Sequence, residues 1–300
     1  MEHADAVPVA VLGAGRMGTA ITERLASHGY HVKVWNRTLE RARSLEGGTV
    51  VAAASSAEAV AGCGVVISIL GDDAAVTEVV TTLELENDAV LVEASTIGPR
   101  TMADLAATTT RPMLGCAVSG NPAVVRGGHA GVLLAGPDQA KLVAGPVLRS
   151  FAANLVDLGS DPTSAKLAKL GLNALLAGTC ELLAEIILVM EAAGLERDSF
   201  AGALDTSVLA SPFIRYKMDA AVRRDYEATF TTRGLAKDLD LTLSEASRNN
   251  VALPLLLHTR ELVEDAIAHN LGEKDFLSLL PRLQVANGLP SDVPVPTTMR

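Results

Sequence analysis

Two rhythms of apolar and polar residues follow one another along the chain. As far as Leu158, short apolar runs alternate with stretches of helical spacing. Val7–Leu12, His31–Trp35, Thr49–Val51, Val65–Leu70, Ala89–Glu93, Met113–Val118, Gly131–Ala135 and Asn154–Leu158 are the predicted strands. Val65–Leu70 is almost wholly apolar, the pattern of a central parallel strand covered on both faces. Helices are expected up to His28, over Leu39–Leu45, over Ser55–Ala61 with Ser55 or Ser56 as cap, from Asp72 or Asp73 to Leu83, from Pro99, and from Pro137 to about Phe151. This alternation predicts a doubly wound α/β domain over 1–162.

At Gly159-Ser-Asp-Pro162 the rhythm changes and strand-like runs stop. Thr163–Gly194 reads as one helix of roughly 46 Å, with Thr163 as candidate cap. Its middle, Leu170–Cys180, carries no charge and is rich in Ala and Gly, which predicts a buried helix that neighbours approach closely. Further helices are expected over Asp198–Ser207, Pro212–Arg223, Thr231–Arg248 and Pro254–His269, and from Asp275. Asn249-Asn250 and Gly272 are candidate stops. The tail from Gly288, with Pro290, Pro294 and Pro296, is predicted mobile. Residues 163–300 therefore read as an all-helical domain joined to the first by a long interdomain helix.

Composition narrows the class. The 300 residues are 49% hydrophobic and 20% charged, a globular composition with length for two domains. A net charge of −10 without a basic patch argues against nucleic acid, and a carboxylate substrate would need local positive groups. Cys63, Cys116 and Cys180 read as small buried residues of a reducing compartment. No leader pattern opens the chain and no run of about 18 apolar residues occurs, so a cytoplasmic protein without a membrane span is expected. No metal is predicted: His28 and His31 straddle Gly29, and the other histidines form no ligand pair. There is no internal repeat, and no Gly-x-Ser-x-Gly motif.

Chemistry concentrates first in Gly13-Ala-Gly15-Arg16-Met17-Gly18, between the first strand and its helix. Gly13 lets the chain reverse, Gly15 lets backbone approach a pyrophosphate, and Gly18 lets the helix pack closely. Unpaired N–H groups and the positive dipole end face the phosphates, so a Rossmann-type dinucleotide site is expected. The second strand ends in Asn36-Arg37-Thr38, with no carboxylate for a ribose 2′-hydroxyl. Arg37 offers a planar fork to a 2′-phosphate, and Asn36 and Thr38 can add neutral hydrogen bonds, so the cofactor read is NADPH over NADH. The plainer alternative is a solvated Arg37 alongside Arg41 and Arg43.

Lys169 and Asn173 lie four residues apart just beyond the domain boundary and share a helix face. Substrate sites favour clefts between domains. A lysine there can protonate a forming alkoxide while Asn173 orients the oxygen or the ammonium. Read alone, Lys169 is more simply a solvated helix lysine, with Lys166 nearby.

Taken together, these segments resemble the β-hydroxyacid dehydrogenase family, which includes 3-hydroxyisobutyrate dehydrogenase and tartronate semialdehyde reductase. The resemblance runs from the glycine turn, methionine included, to about Leu280. Glu93-Ala-Ser95-Thr96-Ile97 resembles the family's Asp-x-Ser-Thr-Ile segment, which implies Thr96 beside the nicotinamide. Leu70-Gly71 stands where the family has Leu-Pro beside the cofactor. Ala117-Val-Ser119-Gly120 resembles a motif whose serine and glycine hold a substrate carboxylate. Lys169 and Asn173 fall on the catalytic lysine and asparagine, and Glu185 on a later glutamate. Phe230 and Ala236-Lys237-Asp238-Leu239 resemble a motif whose lysine closes over the cofactor.

Local alternatives stand beside these matches: Ser119 and Thr96 as caps, Lys237-Asp238 as a surface pair, Phe230 as core. Departures stand there too. Asn121 follows Ser119-Gly120 where the family has a glycine, Gly71 replaces its proline, and Ala75 an asparagine. Gly159-Ser-Asp-Pro162 is similar to the turn of imine reductases, relatives in which the position of Lys169 commonly holds Asp or Tyr. The resemblance implies NADPH-dependent hydride transfer to or from a small β-hydroxy acid or semialdehyde, with Lys169 as general acid and base. Imine reduction is the alternative, and a non-catalytic module holding its cofactor as a structural ligand the third. A homodimer through the helical domain is expected.

Overall fold

The apolar runs of the first half build one sheet. The computed structural model describes residues 7–86 and 88–295, so the readings made on the N-terminal six residues and on Pro296 lie outside it. The strands are β1 (Val9–Leu12), β2 (Val32–Trp35), β3 (Val50–Ala52), β4 (Val65–Ser68), β5 (Val90–Glu93), β6 (Met113–Ser119), β7 (Ala130–Ala135) and β8 (Ala152–Asp157). Their order across the sheet is β3-β2-β1-β4-β5-β6-β7-β8. The order changes direction between β1 and β4, the point at which open α/β sheets bind ligands. β1, β4 and β5 are buried along their length, as apolar strands covered on both faces must be.

The helices of this unit are α1 (Arg16–Ser27), α2 (Leu39–Arg43), α3 (Ser56–Val60), α4 (Asp73–Val80), α5 (Pro99–Thr108), α6 (Pro122–Arg126) and α7 (Asp138–Arg149). Ser55 caps α3 and Asp72 caps α4, each side chain accepting a backbone N–H. Gly98, not Thr96, is the cap residue of α5. Two features go beyond the sequence pattern. β7 runs antiparallel to β6, with Gly115 opposite Ala135, whereas the other strand pairs are parallel. The link between them holds only the short α6, too little chain for a parallel crossover. Asn121 opens α6 by accepting from Val124 N at 3.0 Å.

α8 (Thr163–Ala192) runs unbroken for 30 residues. Its first turns belong to the unit Met1–Lys169, and the second unit is Leu170–Arg300. Asp161, not Thr163, supplies the opening acceptor, taking Thr163 N–H at 2.9 Å. The second unit continues with α9 (Arg197–Asp205), α10 (Pro212–Arg223), α11 (Thr232–Arg248), α12 (Pro254–Ala266) and α13 (Leu279–Ala286). Ala177, Cys180, Ala184 and Ile187 of α8 form its core with residues such as Leu235, Leu239, Val263 and Leu280. The opposite face of α8 exposes Leu175, Leu182, Ile186 and Val189. By length and composition α8 is the one helix among the described residues that could cross a bilayer; its buried face is that of a core helix.

Two expectations for this unit are corrected. α12 gives way to a π-helical turn at Ile267–Leu271, where Asn270, at φ 64°, takes the left-handed position expected of Gly272. The tail predicted mobile is anchored as far as Val295: Asp292 meets Arg197 at 2.7 Å and Tyr226 at 2.5 Å, and Val293 and Val295 pack on the core.

Candidate active site

The glycine turn is built from packing on one side and openness on the other. Gly13 has φ 119°, and a Cβ there would collide with the carbonyl of Ile69; a Cβ on Gly18 would collide with the carbonyl of Gly13. These two glycines set α1 tightly against the ends of β1 and β4. At Gly15 a Cβ would meet nothing within 4 Å, and Gly15 and Arg16 are exposed, while Met17 packs on the core. The open backbone over the start of α1 is the cradle that a pyrophosphate needs, so these residues fit a dinucleotide. Asn36 is used within the protein: its Oδ1 accepts from Ala14 N and its Nδ2 donates to Thr38 O, both at 3.0 Å. It holds the turn to the end of β2 and leaves Arg37 and Thr38 exposed beyond it.

The neighbouring loops are tied to one another. Leu70 N donates to Ser95 Oγ at 2.8 Å, and Ser95 N donates to Glu93 Oε1 at 2.6 Å. Thr96 follows, half-buried. At the end of β6, Ser119 and Gly120 are exposed, and Gly120 takes φ 140°. Lys169, half-buried, donates from Nζ to Val118 O at 3.0 Å, which holds its amine against the end of β6. The first unit thus brings Gly13–Gly18, Leu70, Gly71, Thr96, Ser119, Gly120 and Lys169 to the C-terminal ends of β1, β4, β5 and β6. Ligands of open α/β sheets bind at that edge.

Asn173 and Lys237 lie in the second unit, where Asp238 joins them. Asn173 Nδ2 donates to Asp238 Oδ2 at 2.6 Å, and Lys237 Nζ stands 3.1 Å from Asp238 Oδ1. The NH₂ end of Asn173 is thus the end turned to Asp238. Asp238 is itself buried, on the inward side of α11 with Leu235 and Leu239. That spacing is a signal the sequence carries, and it separates Asp238 from a surface pair. Lys166 carries a similar signal: it follows Ala165 and precedes Leu170 by one turn, both buried. Phe230 packs edge-on against Phe276.

Glu185 is exposed, whereas Glu181, one turn earlier, is buried with neither carboxylate oxygen on a donor. Burial, with Glu185 adding to it, pushes its carboxyl up to about 7. The three cysteines are buried free thiols; burial pushes Cys116 and Cys180 up to about 12 and raises Cys63. Among the described residues no cluster of His, Cys, Asp and Glu could hold a metal ion.

Comparison with known proteins agrees with this layout. Residues 8–159 match the family model described as the NAD binding domain of 6-phosphogluconate dehydrogenase. Residues 163–283 match that described as NAD-binding of NADP-dependent 3-hydroxyisobutyrate dehydrogenase. The chain is 30% identical over 281 residues to the uncharacterized oxidoreductase YfjR of Bacillus subtilis, covering 91% of this chain and 98% of that one. It is 25% identical to glyoxylate/succinic semialdehyde reductase 1 of Arabidopsis thaliana, covering 91% and 96%. Among solved structures, 3-hydroxyisobutyrate dehydrogenase of Mycobacterium tuberculosis shares the fold with a TM-score of 0.83 at 21% identity, covering 93% and 99%. An imine reductase from Pseudomonas sp. gives 0.63 at 24% identity, covering 93% and 100%.

Proposed function

The chain belongs to the β-hydroxyacid dehydrogenase family and is an NAD(P)-dependent oxidoreductase, and we propose that it moves a hydride between NADPH and the carbonyl carbon of a small β-semialdehyde or 3-keto-type acid. The observation that carries this reading is the hydrogen bond from Lys169 Nζ to Val118 O, which keeps an ammonium beside the exposed Ser119–Gly120 backbone. Bound nicotinamide supplies or accepts the hydride. Lys169 donates the proton to the substrate oxygen in reduction and takes it back in oxidation; an ordinary lysine is protonated at neutral pH and suits the first direction. Ser119 Oγ and the N–H groups of Ser119 and Gly120 hold the acid group. Asn173, its NH₂ end held by Asp238, offers its carbonyl oxygen to orient the ammonium or the substrate hydroxyl. Arg37 takes the 2′-phosphate. That a similar Arabidopsis protein is a glyoxylate/succinic semialdehyde reductase supports a small aldehyde acid as substrate. Action in the cytoplasm is part of the same proposal.

Lys169→Ala tests the assignment. Turnover falls by about a thousandfold while NADPH, titrated by its fluorescence, still binds; near-normal turnover removes Lys169 from the chemistry. A second reading, imine reduction, draws on the Gly159–Pro162 turn and on Asn121. A panel of semialdehydes and cyclic imines followed at the NADPH absorbance separates the two, and no turnover on either side leaves a cofactor-binding module.

A further inference from the structure

We infer that Lys166 is a positioning residue for this reaction: it locks the end of β5, the loop after it and the middle of β6 to the first turn of α8 and so fixes Thr96 and Ser119 relative to Lys169. The inference rests on the reading of the site given above.

Lys166 is 1% exposed. Its ammonium donates to three backbone carbonyls, Glu93 O at 2.7 Å, Ser95 O at 2.8 Å and Cys116 O at 2.9 Å. A lysine has three protons to give, and here each has a carbonyl. Glu93 Oε1 stands 3.8 Å away, and this carboxylate is fully buried. Such a charge is costly to bury, and a buried ion pair adds little stability over apolar residues of the same volume. What the arrangement does provide is a fixed geometry. Three carbonyls, one from β5, one from the loop after it and one from β6, converge on one point that belongs to α8.

The contacts continue outward from that point to the site. Ser95, whose carbonyl Lys166 holds, accepts from Leu70 N through its hydroxyl and immediately precedes Thr96. Ile69, next to Leu70, is the residue against which Gly13 packs. On the other strand, Cys116 O takes Lys166 and Val118 O takes Lys169. Two lysines one turn apart on the helix thus grip two carbonyls two residues apart on β6, directly before Ser119. Gly115 makes the approach possible, because a side chain there would collide with the Pro162 carbonyl at the entrance to α8.

The test compares two ligands, NADP⁺ and 2′-phospho-ADP-ribose, which lacks the nicotinamide. In Lys166→Met the fragment binds as it does to wild type, whereas NADP⁺ binds about tenfold more weakly. With a substrate from the panel, kcat falls about a hundredfold, more than KM changes. A merely structural lysine lowers Tm but leaves the ratio of the two affinities, and kcat below the melting range, unchanged; that result overturns the inference. If Lys166→Met does not fold, Ser95→Ala, which cuts the link to Leu70, is read by the same ratio and with the same two outcomes. Absence of turnover in wild type would overturn the proposed reaction, while the ligand pair would still decide the role of Lys166.

Discussion

Arg37 is exposed at the end of β2, and the Asn36–Thr38 stretch holds no carboxylate to repel a 2′-phosphate. Replacing it by Asp removes the fork and adds a charge of the wrong sign. In Arg37→Asp the ratio of kcat/KM for NADPH over NADH should drop by at least about tenfold; an unchanged ratio would mean that Arg37 is only a solvated residue. At this scale the sequence was readable where spacing carries the message, as in Gly13, Gly15 and Gly18. It was not readable where a polar group works inward. Lys166 and Asp238 are charged, and charge in a sequence reads as solvent exposure. The carbonyls that hold Lys166 come from residues about 50 to 73 positions away, and Asn173, the partner of Asp238, from 65 away. Asn36 was legible as a polar residue at the right place, yet its amide serves Ala14 and Thr38.

The strand–turn–helix element at the N-terminus separates folding from binding within one motif. Gly18→Ala drives a Cβ into the Gly13 carbonyl, a backbone atom that cannot swing aside, and should lower Tm by several degrees, since overpacking commonly costs about 1–3 kcal/mol. Gly15→Ala meets nothing in the protein, so Tm should hold while cofactor affinity falls. Calorimetry and cofactor titration on the two variants check this; equal losses of Tm would contradict it. Most elements could be found from the sequence because their periodicity is local. The direction of β7 could not, since an apolar run at Ala130–Ala135 looks the same whichever way it faces its neighbour. The length of the preceding link was the available clue. The π-helical turn escaped because Gly272 drew the expected stop away from Asn270.

For the molecule as a whole, apolar side chains of the second unit stay exposed among the described residues. Leu175, Leu182, Ile186 and Val189 on α8 are exposed, as are Leu255 and Leu257 on α12. Exposed apolar residues of this kind suit an association site, and we propose a two-fold dimer that covers them with a second copy of the same face. Light scattering should give a dimer, and Leu175→Lys with Leu182→Lys a monomer with its helical content retained; a wild-type monomer would refute the proposal. The sequence showed α8 to be apolar on most sides, but not which side the chain itself would cover. The cysteines, by contrast, are hidden. Cys63, Cys116 and Cys180 are all covered, and their thiols are held protonated. Aldehydes trap accessible thiolates, so on the proposed chemistry the chain offers its electrophilic substrate no exposed thiol to poison.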